Sequence, residues 1–263
     1  MFKIKFFTLI CLLSCMLALA CSPMPSAPPP APIPISATPS SGSQPSPFIS
    51  IQYLGHSCFL ITSTTGTRII TDPYTPTSRF TYGEINESAD IVTVTHEHAD
   101  HNNLAAVKGN PSVVRGVGTQ YIKGIEFKGI SAWHDDVKGA QRGADTVICF
   151  NVDGVKFCHA GDLGHRLNAE QLAEIGQVDV LFVPVGGFFT IDAATATEVC
   201  NDLKPRIVIP MHYKTPQFNV GLSPVDDFLQ GKENVKRIED SIFEFKPGEL
   251  PPATQVIVLQ PAR

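Results

Sequence analysis

The chain begins with an apolar run at residues 6–20, preceded by Lys3 and Lys5, and then changes character. Residues 22–47 are dominated by Pro, Ser and Ala, including Pro28, Pro29 and Pro30, and hold almost no large apolar side chain. From residue 48 onward, short apolar stretches recur between Gly, Pro, Asn and Asp. Their alternation predicts strands at 49–53, 58–63 and 68–71, with a turn at 64–66 and an exit from the sheet at Asp72-Pro73. Ile91, Val92, Thr93, Val94 and Thr95 are all β-branched and predict a buried strand. Asn102 or Asn103 can cap a short helix through Lys108, stopped by Gly109, Asn110 and Pro111.

The second half alternates. Strands at 146–152 and 155–158 flank Asp153-Gly154, a two-residue hairpin signal that sets Val152 against Val155, Phe150 against Phe157 and Cys149 against Cys158. Asn168 caps a helix at 169–175 with Gly176 as its stop, 178–185 is a buried strand, a helix runs from Asp192 to about Leu203, and 206–211 is another apolar strand. A last β segment at 255–259 is expected to close the second sheet. In an oxidising compartment Cys149 and Cys158 could form a disulfide, with two buried free thiols as the alternative.

The N-terminal pattern is that of a targeting segment. A positive start, fifteen apolar residues and Ala18-Leu19-Ala20-Cys21 read as a signal peptide over 1–20, too short for a membrane span. A cysteine just after the cleavage site points to a bacterial lipoprotein with a lipid on Cys21. Cys15, in Leu12-Leu13-Ser14-Cys15, is the rival site, and ordinary secretion is the plainer alternative. Residues 21–47 cannot bury enough apolar surface to offset their ordering entropy, so they read as an extended tether. Residues 48–263 suit one domain. The expected place is the bacterial cell envelope, exported and lipid-anchored on the periplasmic side.

Charge narrows the partners. The net charge is −5, and without Lys3 and Lys5 the remaining chain has 18 basic against 25 acidic residues. A surface of that sign disfavours nucleic acid and leaves a small-molecule substrate as the expected partner; the oligomeric state stays open.

The chemistry concentrates after the strand at 91–95. His96, His98, Asp100 and His101 fall within six residues, and three of the chain's eight histidines are among them. In an extended loop His96 and His98 project to one side, and after a turn Asp100 and His101 can face the same cavity, so one segment can serve two adjacent cations.

This His-x-His-x-Asp-His pattern after a strand resembles the signature of the metallo-β-lactamase superfamily. Leu54-Gly55-His56-Ser57-Cys58, Thr71-Asp72-Pro73, His159-Ala160-Gly161-Asp162, Pro184-Val185-Gly186-Gly187 and Pro210-Met211-His212-Tyr213-Lys214-Thr215 extend the likeness. Together they resemble a branch related to ascorbate-phosphate lactonases and N-acyl-phosphatidylethanolamine phospholipases D. The resemblance implies an α/β fold, a four-layer αββα sandwich, with metal ligands at strand ends. It implies His96, His98 and His134 on one metal, Asp100, His101 and His212 on the other, and Asp162 between them. His159 competes with His134 for the third place and is otherwise packed. Asp72 reads as a residue that fixes the metal loop through hydrogen bonds. His56 is either close to the site or a hydrogen-bonded strand-end histidine, and His165 lies near the mouth or in solvent.

The implied cofactor is two divalent metal ions, zinc first, with manganese or iron as alternatives. The implied activity is a metal-dependent hydrolase in which a metal-bridging hydroxide, oriented by Asp100 and Asp162, cleaves a small ester, lactone, amide or phosphodiester. Lys214 and Arg142 could attract a phosphate or carboxylate or be loop residues with solvated charges, and Phe188 and Phe189 could line an apolar pocket or belong to the core. An iron-containing oxygen or nitric oxide reductase is disfavoured by His98, and a true β-lactamase by the closer likeness to the other branch. The alternative function is a non-catalytic metal- or partner-binding lipoprotein that keeps the same fold.

Overall fold

Fourteen strands, three α-helices and one 3-10 turn are present in residues 45–263, the part of the chain that the computed structural model describes. The signal peptide at 1–20, most of the tether at 21–47, and Cys15 and Cys21 lie outside the described residues. In chain order the elements are β1 (Ile49–Gly55), β2 (Cys58–Thr62), β3 (Arg68–Thr71), β4 (Ile91–Val94), β5 (Ser112–Arg115), β6 (Gly118–Ile122) and β7 (Ile125–Trp133). They continue with β8 (Ala144–Val152), β9 (Val155–His159), α1 (Ala169–Ile175), β10 (Val180–Pro184) and α2 (Ala193–Leu203). Last come β11 (Ile207–Met211), α3 (Val225–Leu229), β12 (Val235–Arg237), β13 (Ile242–Phe245) and β14 (Gln255–Val258).

Two mixed sheets pack face to face. One has six strands in the order β13-β1-β2-β3-β4-β5, the other eight in the order β12-β14-β11-β10-β9-β8-β7-β6. Alternation decides which side chains meet between them. Ile49, Ile51 and Tyr53 of β1 and Phe59 and Ile61 of β2 face Phe157, Phe182, Ile207 and Ile209. On β10 the intervening Leu181 and Val183 turn to the opposite side, where α2 and α3 supply Ala196, Val199 and Phe228. β10 and β11 are buried along their whole length, as parallel strands covered on both faces must be.

The outer layer on the first sheet is different. Leu54, Leu60, Ile70 and Val92 are covered by Tyr74, Phe80, Tyr82 and Ile85, which lie in irregular chain. The helix expected from Asn102 or Asn103 to Lys108 is only a 3-10 turn, Leu104–Ala106. The Asn103 side chain makes no cap and instead donates to the Tyr74 carbonyl. Val107 is already extended, so the turn cannot propagate.

Locally encoded elements match closely. The β8–β9 hairpin has Cys149 opposite Cys158, with Asp153 and Gly154 both in the left-handed region. Both cysteines are free thiols. Asn168 and Gln171 form a reciprocal capping box on α1, and Asp192 accepts from the Thr195 backbone N–H at the start of α2. The segment expected to close the second sheet, now β14, instead lies inside it, and β12 is the edge. β13 crosses to the first sheet and pairs antiparallel with β1.

Candidate metal centre

Strand ends from both sheets converge on one seam. The first sheet contributes His56 after β1, Asp72 after β3 and residues 95–101 after β4. The second contributes His134 after β7, Asp162 after β9 and His212 after β11. His56, Asp72 and His212 all have positive φ, at 56°, 38° and 52°, so the backbone is strained at three of these strand ends.

Asp72 organises the loop after β4. Its Oδ1 accepts from the Thr95 backbone N–H at 2.9 Å, and its Oδ2 accepts from Thr95 Oγ1 at 2.6 Å and lies 3.0 Å from His101 Nδ1. His101 Nε2 is thereby aimed at Asp162. The loop closes on itself where the His101 N–H donates to the His98 carbonyl.

Asp162 is the centre of the constellation. Its Oδ2 lies 3.2 Å from the Nε2 atoms of His101, His134 and His212 alike. His96 Nε2 is 3.1 Å from His98 Nδ1, and His96, His98 and His134 form one group of close donors. His56, His101, Asp162 and His212 form another, with every ligand atom within 4.8 Å of the rest. Asp100 is half-buried on the cavity wall, its Oδ2 3.9 Å from His101 Nε2 and 3.4 Å from His56 Nε2. The seven candidate ligands therefore cluster at one seam, in two groups of close donors with Asp100 beside the second.

Electrostatics and orphaned atoms fit a cation here. Burial pushes the Asp162 carboxyl up, but His101 and then His212 outweigh it and hold it well below the usual range. Burial alone would lower His101, yet Asp162 and Asp72 raise it well above its ordinary value. Two buried carboxylates with one positive imidazole between them make a place for positive charge. Burial, then His212, lowers His56 to about 4 despite Asp100 nearby. Asp162 Oδ1, His101 Nε2, His134 Nδ1, His212 Nδ1 and both ring nitrogens of His56 have no hydrogen-bond partner, which buried polar atoms seldom tolerate. A divalent ion at this seam would satisfy Asp162 Oδ1 and His101 Nε2, whereas the Nδ1 atoms of His134 and His212 lie on the far side of rings whose Nε2 atoms face Asp162.

Several supports were not legible as site residues. Asp145 is buried, its Oδ1 3.5 Å from His96 Nδ1 and 3.4 Å from the Asp162 N–H. Gly161, at φ 58°, has no room for a Cβ because the Asp145 carboxylate occupies that space. Asp135 accepts backbone N–H bonds from Val137, Gly139, Gln141 and Arg142, folding residues 135–143 into a loop over the cavity. Burial opposes ionisation of Asp135, but those four donors hold its carboxyl down at about 2.

The remaining sequence candidates divide. His159 is satisfied within the core, its Nε2 2.9 Å from the Ser57 carbonyl and its Nδ1 accepting from the Gly161 N–H, so it does not compete with His134. His165 bonds the Trp133 N–H and the Arg166 carbonyl away from the donors. Lys214 takes the solvated alternative: it is exposed and lines a different cleft with Tyr213 and Arg237. Arg142 does reach the site. With Gln141, Phe189 and Phe218 it lines a cavity of about 310 Å³ that includes His98, Asp100, His134, Asp162 and His212. The guanidinium donates to the Phe188 carbonyl at 3.1 Å and sits 5.9 Å from the Phe189 ring centre. Phe188 itself is 63% exposed.

The profile of the Beta-lactamase superfamily domain matches residues 50–212, the interval that contains every donor above. A "UPF0173 metal-dependent hydrolase" of Carboxydothermus hydrogenoformans is 31% identical over 77% of this chain and 99% of its own length. One of Thermococcus onnurineus is 30% identical over 64% of this chain and 85% of its own. Among solved structures, a hydrolase of the metallo-β-lactamase superfamily from Thermotoga maritima, described as a candidate for zinc dependence, superposes with a TM-score of 0.68 at 38% identity. That match covers 80% of this chain and 98% of the other. Igni18, a metallo hydrolase of Ignicoccus hospitalis, gives 0.55 at 25% identity over 76% of this chain and 100% of its own.

Proposed function

The chain belongs to the metallo-β-lactamase superfamily, as one of its metal-dependent hydrolases, and from that premise we propose that it holds two divalent cations and cleaves a small ester, lactone, amide or phosphodiester. The observation that carries this is the single oxygen Asp162 Oδ2 lying 3.2 Å from three ring nitrogens on elements of both sheets. His96, His98 and His134 would hold one ion, Asp100, His101 and His212 the other, with Asp162 shared. Imidazole and carboxylate donors suit zinc first and manganese or iron as alternatives. When bound, such a pair supplies Lewis acidity, polarising the scissile group and lowering the pKa of a water from about 15.7 to near 7.

The protein's own residues supply position. Asp100, ionised because His56 and His101 outweigh its burial, faces the cavity and accepts a hydrogen bond from the attacking water. Arg142, fixed by its bond to Phe188 and the Asp135 loop, presents a positive group to an anionic part of the substrate. Phe189, beside the Arg142 guanidinium, and Phe218 give the same cavity apolar surface.

Elemental analysis of the purified protein tests the reading. About two metals per chain are expected, falling towards one in His134→Ala, and Asp162→Ala should stay folded while losing turnover on any ester or phosphodiester that the parent cleaves. No bound metal after reconstitution with zinc, manganese and iron would overturn it. The N-terminal segment belongs to the same proposal: export, cleavage after Ala20, a lipid on Cys21 and a tether to a domain over 48–263. Mass spectrometry of the mature N-terminus decides between a lipidated Cys21, a lipidated Cys15 and an unmodified secreted chain.

A further inference from the structure

His56 is the one buried histidine at the seam that the proposed ligand set leaves without a task. It is 1% exposed, and neither ring nitrogen has a hydrogen-bond partner. Its main-chain role is clear, because its carbonyl accepts from Tyr53 Oη at 3.0 Å and from the His212 N–H at 3.1 Å. Those bonds tie the β1–β2 turn to the end of β11 but say nothing of the ring.

The ring is caged. Phe80 and Phe218 stand edge-on to it at 4.7 and 5.6 Å, and His212 and His101 lie 4.2 and 5.0 Å away, centre to centre. Phenyl rings offer an imidazole no ordinary acceptor. The nearest oxygen, Asp100 Oδ2, is 3.4 Å from Nε2, longer than good hydrogen bonds to a carboxylate. Yet a ring nitrogen of His56 lies within 4.8 Å of donors from His101, Asp162 and His212. With bonds of about 2.0–2.2 Å, ligands on opposite sides of one ion stand roughly 4 Å apart, so this spread suits a common centre. The backbone at His56 is also left-handed, at φ 56°, where a glycine or asparagine would be easier. A strained turn that places an orphaned nitrogen among ligands points to a function for the nitrogen.

We propose that His56 is a direct donor to the second cation, alongside Asp100, His101, His212 and the shared Asp162. This rests on the two-cation reading above. Each ion then has three imidazoles, and the second receives one from the β1–β2 turn, which the His-x-His-x-Asp-His loop cannot provide. The second site becomes richer in neutral donors than its sequence motif alone would make it.

Cobalt(II) titration of the metal-free full-length protein, followed by visible absorbance and calorimetry, tests it without any substrate. The parent should take up two ions in resolvable steps. His56→Asn keeps a residue that tolerates the left-handed turn but withdraws the ring, and His56→Phe keeps a ring in the cage but removes its nitrogens. In whichever variants retain the parent's circular dichroism, first-ion affinity should hold within about twofold. The second ion should bind at least about tenfold more weakly and lose its part of the visible bands. Second-ion affinity and spectrum unchanged within about twofold in either folded variant would overturn the inference and leave His56 a packing residue. A parent that binds only one cobalt would instead sink the two-cation reading, which separates the two failures.

Discussion

Asp72 shows how much one buried side chain can organise. It stands in no direct group with Asp162, yet both of its oxygens are used, on Thr95 and on His101. Asp72→Asn replaces one acceptor oxygen with a donor and leaves either Thr95 or His101 facing the wrong group. Metal affinity is expected to fall about 10- to 100-fold, read by competition with a chelator of known strength. An unchanged affinity would reduce Asp72 to a turn residue before Pro73. At this scale the sequence was informative where ligands crowd together, since His96, His98, Asp100 and His101 sit within one loop. It was silent on Asp135 and Asp145, whose roles come from backbone N–H groups and neighbours that only the folded loops bring to them. Lys214 took the solvated alternative: it is exposed and lines another cleft although only two residues from His212.

Elements follow the same rule of locality. The β8–β9 hairpin, the caps of α1 and α2, and the buried strands β10 and β11 were legible because their signals lie within a few residues, whereas β7, a nine-residue strand inside the second sheet, was not. β5, β6 and β12 were not, since edge strands alternate weakly and stay partly exposed: Gly118–Ile122 has no fully buried position. β13 was hidden because its identity as a strand depends on β1, far away in sequence. Capping makes a measurable case. Asp192 accepts from the Thr195 N–H at 2.8 Å, and that bond holds its carboxyl below its ordinary value. Asp192→Ala should cost about 1 kcal/mol in urea unfolding at pH 7. Because the folded pKa is the lower one, the parent's advantage is complete above the unfolded value of about 3.9 and disappears as pH falls through the folded value. Asp192→Asn should keep the cap across that range, so a pH-independent gap between parent and Ala variant would refute the assignment.

For the whole molecule, the centre bridges two sheets whose contact is a largely apolar core with a few polar bonds, such as the His212 N–H to the His56 carbonyl and His159 to the Ser57 carbonyl. Ions bound to the native seam should add about 2.7 kcal/mol at a hundredfold excess over Kd. Chelation is therefore expected to lower the melting temperature by roughly 5–10 °C, restored by adding the metal back. A melting point indifferent to chelator would mean that the seam is held without ions. The division of donors also sets an order in time. His96, His98, Asp100 and His101 leave the first sheet, while His134, Asp162 and His212 leave the second, so neither half can assemble the centre alone. The first sheet is itself unfinished until β13 returns to β1 from near the end of the chain. High-affinity metal capture thus waits for long-range pairing that brings both sheets together, and an emerging chain that has made only its first five strands still lacks His134, Asp162 and His212.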